Sequence, residues 1–402
     1  MKDNSLKLIN IGNLVSYNSK KEEMVTKSDM EIIIKNNKIV EIGRHLNEID
    51  EIFDCKNKLV TPGFVDCHTH PVFIENRSKE FEMRLKGKSY QEIAQNGGGI
   101  NSSVKNFRES TYDKLKKKVH GRMDTFLRLG TTTIEAKSGY GLSLDSELKS
   151  LEVLDFTNLN HEIDIISTFM GAHAIPEEYE KNPEKYVDYL CDIMIPEISK
   201  QGIAKYNDVF CEDGYFNIEQ TKRILQKGLD YGLLPRVHAD EFKNLGGSSL
   251  AGKMKYISAD HLMNINDEDI FNMARSNVPA VLLPGTTFFL GKPNYAPYLK
   301  IKESGIDIAI ATDYNPGSSN IQSMVFIIAL ATIYMKMDIY EALKSSTYIP
   351  SKILNIDGRT GSIEKGKNAD IIIWNVKEPI EIPYNFSVNP INSVIKSGKI
   401  LF

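Results

Sequence analysis

Cysteine, tryptophan and long apolar runs are all scarce in this chain of 402 residues. Its four cysteines, Cys55, Cys67, Cys191 and Cys211, form no C-x-x-C pair. This pattern excludes a disulfide framework and a cysteine-based zinc module, and it indicates a reducing compartment. The N-terminus lacks the apolar core of a signal peptide, and the best apolar run, residues 325–335, is too short to span a bilayer. We therefore expect a soluble, cytoplasmic protein.

The chain also lacks a strong excess of either charge. It has 49 Lys and Arg residues against 53 Asp and Glu residues, which gives a net charge of -4. The basic residues form no stripe interleaved with aromatic residues. This distribution argues against nucleic acid or a membrane as the main partner, and it leaves a small polar or anionic molecule as the expected ligand.

Both ends of the chain have the pattern of β-structure. The predicted strands are residues 6–9, 31–34, 38–43, 371–374 and 394–401. Neither end has enough strands to be stable alone. We therefore expect residues 1–60 and 355–402 to form one composite β-sandwich domain with a structural role.

Between the ends, apolar runs rich in β-branched residues alternate with helical stretches. Eight such runs are present: residues 64–67, 131–137, 167–173, 204–211, 233–238, 255–261, 279–284 and 306–313. Eight strands with intervening helices predict an α/β fold, a closed (β/α)8 barrel of the TIM type. We place this barrel at residues 61–354.

A His-x-His pair follows the first predicted barrel strand. His68 and His70 point to the same side of an extended segment, so both imidazoles can bind one metal ion. Taken alone, the pair is as consistent with two surface histidines as with a metal site.

Four more residues strengthen the metal interpretation. His173, His238 and His261 each end a predicted strand, and Asp313 ends the last one. Barrel active sites lie at the C-terminal ends of the strands. Imidazoles with one carboxylate suit a hydrolytic metal centre, in which the ion lowers the pKa of bound water from about 15.7 to about 7.

Several stretches resemble the amidohydrolase superfamily and, within it, the imidazolonepropionase family. The first is the motif of residues 62–70, with His238, His261 and Asp313 on the fifth, sixth and eighth strands. The others are residues 80–90, 97–100, 137–141, 171–173, 238–241 and 312–318. The chain departs from the family pattern at residues 74–76, where small glycines are common, and this puts the shape of that loop in doubt.

The resemblance implies a reaction and a cofactor. The reaction is hydrolysis of the cyclic amide C–N bond of 4-imidazolone-5-propanoate to N-formimidoyl-L-glutamate, a step of histidine degradation. His68, His70, His238 and Asp313 would bind one Zn2+ or iron ion per subunit, which activates water. The resemblance also implies a homodimer.

Roles for further residues follow from the same resemblance. Asp313 would accept a proton from the water, Glu241 would orient the water or relay the proton, and His261 would stabilise the oxyanion. Arg77 would bind the propionate group, with Arg84 as its rival. The other substrate-binding residues implied are Tyr90, Tyr140, His173, Glu241, Asn315, Gly317 and Ser318.

Three alternatives stay open. A carboxylated Lys137 could bridge two metal ions, but it lies on the second predicted strand, whereas that chemistry uses the fourth. An aminohydrolase of the cytosine deaminase type would use similar ligands and release ammonia; Arg77 and Tyr140 favour the imidazolone reaction. A non-catalytic scaffold protein would usually have lost ligands that are all present here.

Overall fold

The computed structural model describes residues 5–89, 92–93 and 96–402, which form two sheets. The strands are β1 Ser5–Asn18, β2 Glu23–Lys35, β3 Lys38–Gly43, β4 Ile52–Pro62, β5 Phe64–Thr69, β6 Thr131–Lys137, β7 Asp164–Ala172, β8 Tyr206–Cys211, β9 Leu234–Ala239, β10 Ser258–His261, β11 Ala280–Leu282, β12 Ile308–Ile310, β13 Ile371–Trp374, β14 Ile391–Lys396 and β15 Lys399–Ile400.

Helices connect and cover these strands. Those of the described residues are α1 Ser78–Leu85, α2 Gly99–Arg108, α3 Tyr112–Arg128, α4 Leu144–Asn160, α5 Pro183–Tyr189, α6 Ile195–Gln201, α7 Ile218–Asp230, α8 Gly247–Met254, α9 Asp267–Arg275, α10 Pro284–Phe289, α11 Tyr298–Glu303, α12 Met324–Tyr334, α13 Ile339–Ser345, α14 Tyr348–Ile353 and α15 Glu381–Tyr384. A 3-10 turn, Glu177–Tyr179, and a π-helical turn, Leu190–Met194, complete the set. Each of these helices falls short of the length and apolarity needed to cross a membrane.

The first sheet combines both ends of the chain, as predicted. Its seven strands follow the order β15-β14-β13-β4-β1-β2-β3. β4 pairs in parallel with β1 and antiparallel with β13, so it joins the N-terminal strands to the C-terminal ones. The sequence did not predict β4, because its first half is polar and lacks a continuous apolar pattern. Division of the chain at residues 60 and 355 stays a prediction.

The second sheet is the predicted barrel. Strands β5 to β12 are parallel and lie in chain order. Backbone hydrogen bonds from Asp313 N to His68 O, 3.0 Å, and from His70 N to Tyr314 O, 2.8 Å, close the ring between its first and last strands. Structural neighbours described below share this fold, which confirms the (β/α)8 class.

Four predicted barrel strands, β8, β10, β11 and β12, are shorter than expected. Lys255 adopts a left-handed φ of 56° as the cap of α8, so extended backbone begins only at Ser258. Asp313 has a φ of 49° and lies beyond the end of β12 at Ile310. Left-handed backbone cannot continue a β-ladder, which explains the late start of β10 and the exclusion of Asp313 from β12.

A buried ion pair connects the terminal sheet to the barrel. Lys396, at the end of β14, is almost fully buried, and its Nζ lies 3.0 Å from Asp370 and 3.0 Å from Asp164, the first residue of β7. Trp374 of β13 packs edge-on against Phe64 of β5, the first barrel strand, with ring centroids 5.8 Å apart. The sheet is therefore tied to the barrel by polar as well as apolar contacts.

We predict that Lys396→Met lowers the free energy of unfolding by about 3 kcal/mol, because Asp370 would keep a buried carboxylate without its cation. Chemical denaturation measures this loss. The matched control is Lys399→Met, whose pair with Glu162 is exposed and contributes at most about 0.5 kcal/mol. Equal effects of the two substitutions would contradict a structural role for the buried pair.

Candidate metal centre

The histidines predicted at the barrel rim lie together. Two overlapping groups have ligand atoms within 4.8 Å of one another: His68, His70 and Asp313, and His68, His238 and His261. All five side chains are buried. The closed ring brings β5, β9, β10 and the residues after β12 to one end of the barrel, although these residues are far apart in sequence.

The distances within the cluster suit one small cation. His70 Nε2 lies 3.3 Å from His68 Nε2 and 3.3 Å from His238 Nε2. Asp313 Oδ1 lies 3.6 Å from His68 Nε2 and 3.4 Å from His70 Nε2. Ligands about 2.1 Å from a tetrahedral ion are separated by about 3.4 Å. These four separations are those expected between ligands of a single coordination sphere.

Hydrogen bonds behind two of the rings leave their Nε2 atoms unprotonated. His68 Nδ1 lies 2.6 Å from Asp260 Oδ2, and His238 Nδ1 lies 3.0 Å from Asp208 Oδ1. Each Nδ1 therefore donates to a carboxylate, and each Nε2 keeps a lone pair. Burial holds the pKa of His68 well below its ordinary value, so this ring stays neutral. Lone pairs that face each other beside a carboxylate repel unless a cation lies among them, so the residues fit a divalent metal ion.

Lys137 is a buried ammonium group rather than a site for carboxylation. Its Nζ lies 2.7 Å from Glu135 and 2.9 Å from Asp208, and all three side chains are fully buried. Burial and Arg236 oppose its charge, but Asp208 and Glu135 hold the pKa of Lys137 above its ordinary value. Carboxylation requires a neutral amine, so the geometry gives no support to a bridging carbamate.

Glu241 and His261 form the opposite wall of the cluster. His261 Nε2 lies 3.7 Å from Glu241 Oε2. Burial and the nearby Asp313 raise the pKa of Glu241 well above its ordinary value, which favours the protonated form of this carboxyl. Burial lowers the pKa of His261 to about 3, so the ring is neutral. Its φ of 82° is rare for a residue with a side chain, and such strain concentrates at functional sites.

A small cavity opens above these groups. Its lining includes ten of the predicted site residues: His70, Arg77, Tyr140, His173, His238, Glu241, His261, Asp313, Asn315 and Ser318. Ile100, Phe210 and Phe242 also line it and were not predicted, because apolar residues give no signal that separates them from the core.

Arg77, and not its rival Arg84, lines the cavity. Arg77 is buried, and a Cβ atom on Gly317 would lie 1.5 Å from its Nη2. Gly317 therefore contributes by leaving space for the guanidinium group. Arg84 donates to Gly317 O at 2.9 Å and lies over the rings of Phe81 and Phe289.

Two loops position the remaining cavity residues. The Glu147 carboxylate fixes the Tyr140 loop by accepting hydrogen bonds from the backbone N–H groups of Gly139, Gly141 and Leu142. His173 Nδ1 donates to Gly139 O at 2.9 Å, and its ring stacks on His70 with centroids 5.0 Å apart. Its Nε2 is therefore an acceptor.

The polar groups of Asn315 make hydrogen bonds within the loop that follows β12. Asn315 Nδ2 donates to Asp313 O at 2.7 Å, and its Oδ1 accepts from the N–H groups of Gly317 and Ser318. Its main contribution is therefore to the shape of the loop. Tyr90 lies outside the described residues.

Several polar residues of the site were missed by the sequence interpretation. Thr286 donates from Oγ1 to Asp313 Oδ2 at 2.5 Å and fixes the carboxylate, but nothing in the sequence marks it. The charged residues of the barrel interior did carry a signal: they interrupt strands that are otherwise apolar and buried. They are Glu135, Asp208, Arg236 and Asp260, together with Lys137, which was considered above only as a possible carboxylated bridge.

A further group of possible ligands lies on the surface and does not form a comparable site. It consists of His120, Asp124 and His161. His161 Nδ1 accepts from Ile163 N at 3.1 Å, so its Nε2 carries the proton and faces Asp124 at 3.2 Å. Both ring nitrogens are engaged, so this ring offers no lone pair to an ion.

Comparisons with known proteins agree with this geometry. A model of the amidohydrolase family matches residues 289–401. A curated imidazolonepropionase from Brevibacillus brevis is 46% identical over 351 residues, which cover 87% of this chain and 82% of the relative. One from Treponema denticola is 41% identical and covers 92% of this chain and 91% of the relative.

Solved structures show the same fold at low sequence identity. A variant of atrazine chlorohydrolase from Arthrobacter aurescens, complexed with zinc and atraton, has a TM-score of 0.78 and 15% identity. The alignment covers 98% of this chain and 95% of that one. From the identity and coverage of its curated relatives, this chain belongs to the imidazolonepropionase family.

Proposed function

We propose that this protein hydrolyses the ring amide C–N bond of 4-imidazolone-5-propanoate, giving N-formimidoyl-L-glutamate in histidine degradation. One observation carries the proposal: a single small cavity holds both the metal-ligand cluster and the buried guanidinium of Arg77. The first suits hydrolysis of an amide, and the second suits a substrate carboxylate. The relatives named imidazolonepropionase support the same reaction.

We propose that His68, His70, His238 and Asp313 hold one zinc or iron ion. Their donor spacing and the unprotonated Nε2 atoms support this set. When bound, the ion would act as a Lewis acid and lower the pKa of water to about 7. The pairing of Lys137 with two carboxylates favours one ion over two.

Asp313, His261 and Glu241 would each take a different part in the reaction. Asp313 Oδ1 faces the histidines, while Thr286 holds Oδ2, so Asp313 is placed to accept a proton from the attacking water. The neutral ring of His261 would donate a hydrogen bond to the substrate carbonyl oxygen as it gains negative charge. Glu241, whose raised pKa favours the protonated form, would relay a proton to the ring nitrogen as its bond to the carbonyl carbon breaks.

Binding groups would orient the substrate. Arg77 would pair with the propionate carboxylate, and Gly317 makes room for that guanidinium. Tyr140 and His173 lie beside each other, with ring centroids 5.2 Å apart, and would contact the imidazolone ring. Ser318 would add a polar contact at the rim.

The direct test is incubation of the purified protein with imidazolone propionate. We expect loss of the ring absorbance together with N-formimidoyl-L-glutamate, identified by mass spectrometry. Asp313→Asn should slow turnover by about 10²–10⁴-fold, because the proton acceptor is lost, with an unchanged circular dichroism spectrum. Ammonia release from a ring amidine such as cytosine, without formimidoylglutamate, would instead identify a deaminase.

A second test addresses the carboxylate. We expect Arg77→Met to raise KM about 10- to 100-fold with little change in kcat, because a charge-assisted hydrogen bond contributes about 1.5–3 kcal/mol. Gly317→Ala should shift KM in the same direction, because its Cβ would displace the guanidinium. Steady-state kinetics measures both.

The matched control is Gly121→Ala, because a Cβ there meets no atom within 4 Å. An ester or amide of the propionate should bind equally to wild type and Arg77→Met. If Arg77→Met leaves KM unchanged for the free acid, the carboxylate assignment is wrong.

We also propose a homodimer, as the family resemblance implies. An aromatic patch formed by Phe288, Phe326, Ile380, Tyr384, Phe386 and Val388 supports it. Tyr384 and Val388 are 85% and 62% exposed, and α12 beneath them carries no charged residue. Exposed apolar patches of this kind mark protein interfaces. The unpaired state of all four cysteines suits the cytoplasm, which we propose as the compartment.

We expect Tyr384→Asp to convert the dimer to monomers in sedimentation velocity, because an unpaired charge would be buried in the interface. The control Leu159→Asp changes an equally exposed apolar residue outside the patch. A dimer that survives Tyr384→Asp would exclude the patch as the contact.

A further inference from the structure

Five charged side chains form a connected network inside the barrel, behind the metal-ligand cluster. Glu135 and Lys137 belong to β6, Asp208 to β8, Arg236 to β9 and Asp260 to β10. All five are fully buried. Buried ions lower stability unless they are paired, so a network of this size calls for a specific explanation.

The two cations of the network each hold a different carboxylate. Lys137 Nζ lies 2.9 Å from Asp208 Oδ2, and Arg236 Nη2 donates to Asp260 Oδ2 at 2.8 Å. Glu135 lies between the cations, 2.7 Å from Lys137 Nζ and 3.6 Å from Arg236 Nη1. The five side chains therefore form one continuous chain of ion pairs.

Both held carboxylates face a histidine of the cluster. The second oxygen of Asp208 accepts from His238 Nδ1, and the Asp260 oxygen bound by Arg236 also accepts from His68 Nδ1. In contrast, His70 Nδ1 makes no hydrogen bond within the described part of the chain. The network thus orients two of the three histidine rings and fixes which nitrogen carries the proton.

We infer that Lys137 and Arg236 are positioning residues of the metal centre: they hold Asp208 and Asp260 so that His238 and His68 present unprotonated Nε2 atoms to one ion. Neither cation touches the cavity, so neither is a catalytic residue. The inference rests on the proposed metal centre, but it does not depend on the identity of the substrate.

Two other roles for Lys137 make different predictions about metal affinity. If its charge acted only through the electrostatic field, removal of that charge would strengthen the binding of a cation. If it only stabilised the fold, removal would leave affinity unchanged in the folded protein. Positioning predicts weaker binding, because the Asp208–His238 pair loses its support. The direction of the change in metal affinity therefore distinguishes the three roles of Lys137.

The experiment compares Lys137→Met with Lys396→Met. Lys396 is also a buried lysine paired with two carboxylates, but it lies where the terminal sheet meets the barrel. Apoprotein prepared with a chelator is titrated with Zn2+ in competition with a chromogenic chelator, and Tm is measured in parallel. We expect both variants to lose thermal stability, and only Lys137→Met to bind zinc about 10- to 100-fold more weakly than wild type.

Lys137→Gln provides a rescue, because its amide can donate a hydrogen bond to a carboxylate of the network without the charge, and we expect it to recover part of the lost affinity. If Lys137→Met does not fold, Arg236→Met tests the other branch with the same expected sign. Zinc affinity equal to or tighter than wild type in the folded variant overturns the inference. The zinc titration contains no substrate, so it does not depend on the substrate assignment. If the wild-type protein binds zinc but leaves imidazolone propionate intact, only the substrate assignment is wrong.

Discussion

The site depends on closure of the barrel between its first strand and the segment after its last one. His68 O and His70 N bond to the backbone of Asp313 and Tyr314, and the buried carboxylate of Asp66 accepts from the backbone and hydroxyl of Thr312. Those bonds are short in space but join residues that are far apart in sequence. His68 and His70 lie on one side of this closure, and Asp313 lies on the other. A ring left open here would therefore separate Asp313 from the histidines.

The barrel interior is divided into two chemically different layers. Toward the N-terminal ends of the strands, Val65, Tyr206, Val281 and Ala309 belong to an apolar cluster of the ordinary kind. Toward the other end, the interior holds the ionic network in place of apolar packing. A well-packed apolar core would often be as stable or more stable. The ionic layer is therefore best explained as an arrangement that lowers stability but fixes the direction in which the histidine nitrogens point.

Much of this architecture was predictable, because buried strands leave a strong apolar pattern in the sequence. The run of residues 131–137 is buried along its whole length, and its limits were predicted correctly. The polar first half of β4 carried no such pattern, and left-handed backbone excludes Asp313 from β12, a conformation that composition does not reveal. For the site, residue type and strand position identified the rim, whereas the contacts of Thr286 and Gly317 depend on folding that brings separate loops together.

The pairing of β4 with both β1 and β13 has a consequence for synthesis of the protein. The first four strands leave the ribosome early, but their partner β13 follows only after the entire barrel, which at about 5–20 residues per second means a delay of roughly 15–60 s for about 300 residues. Throughout that interval one side of β4 is an open edge, the kind of surface that recruits chaperones or other unfinished strands. Completion of the terminal sheet thus follows synthesis of the barrel, and a ribosome that stalls before β13 leaves a barrel whose N-terminal strands still lack their closing partner.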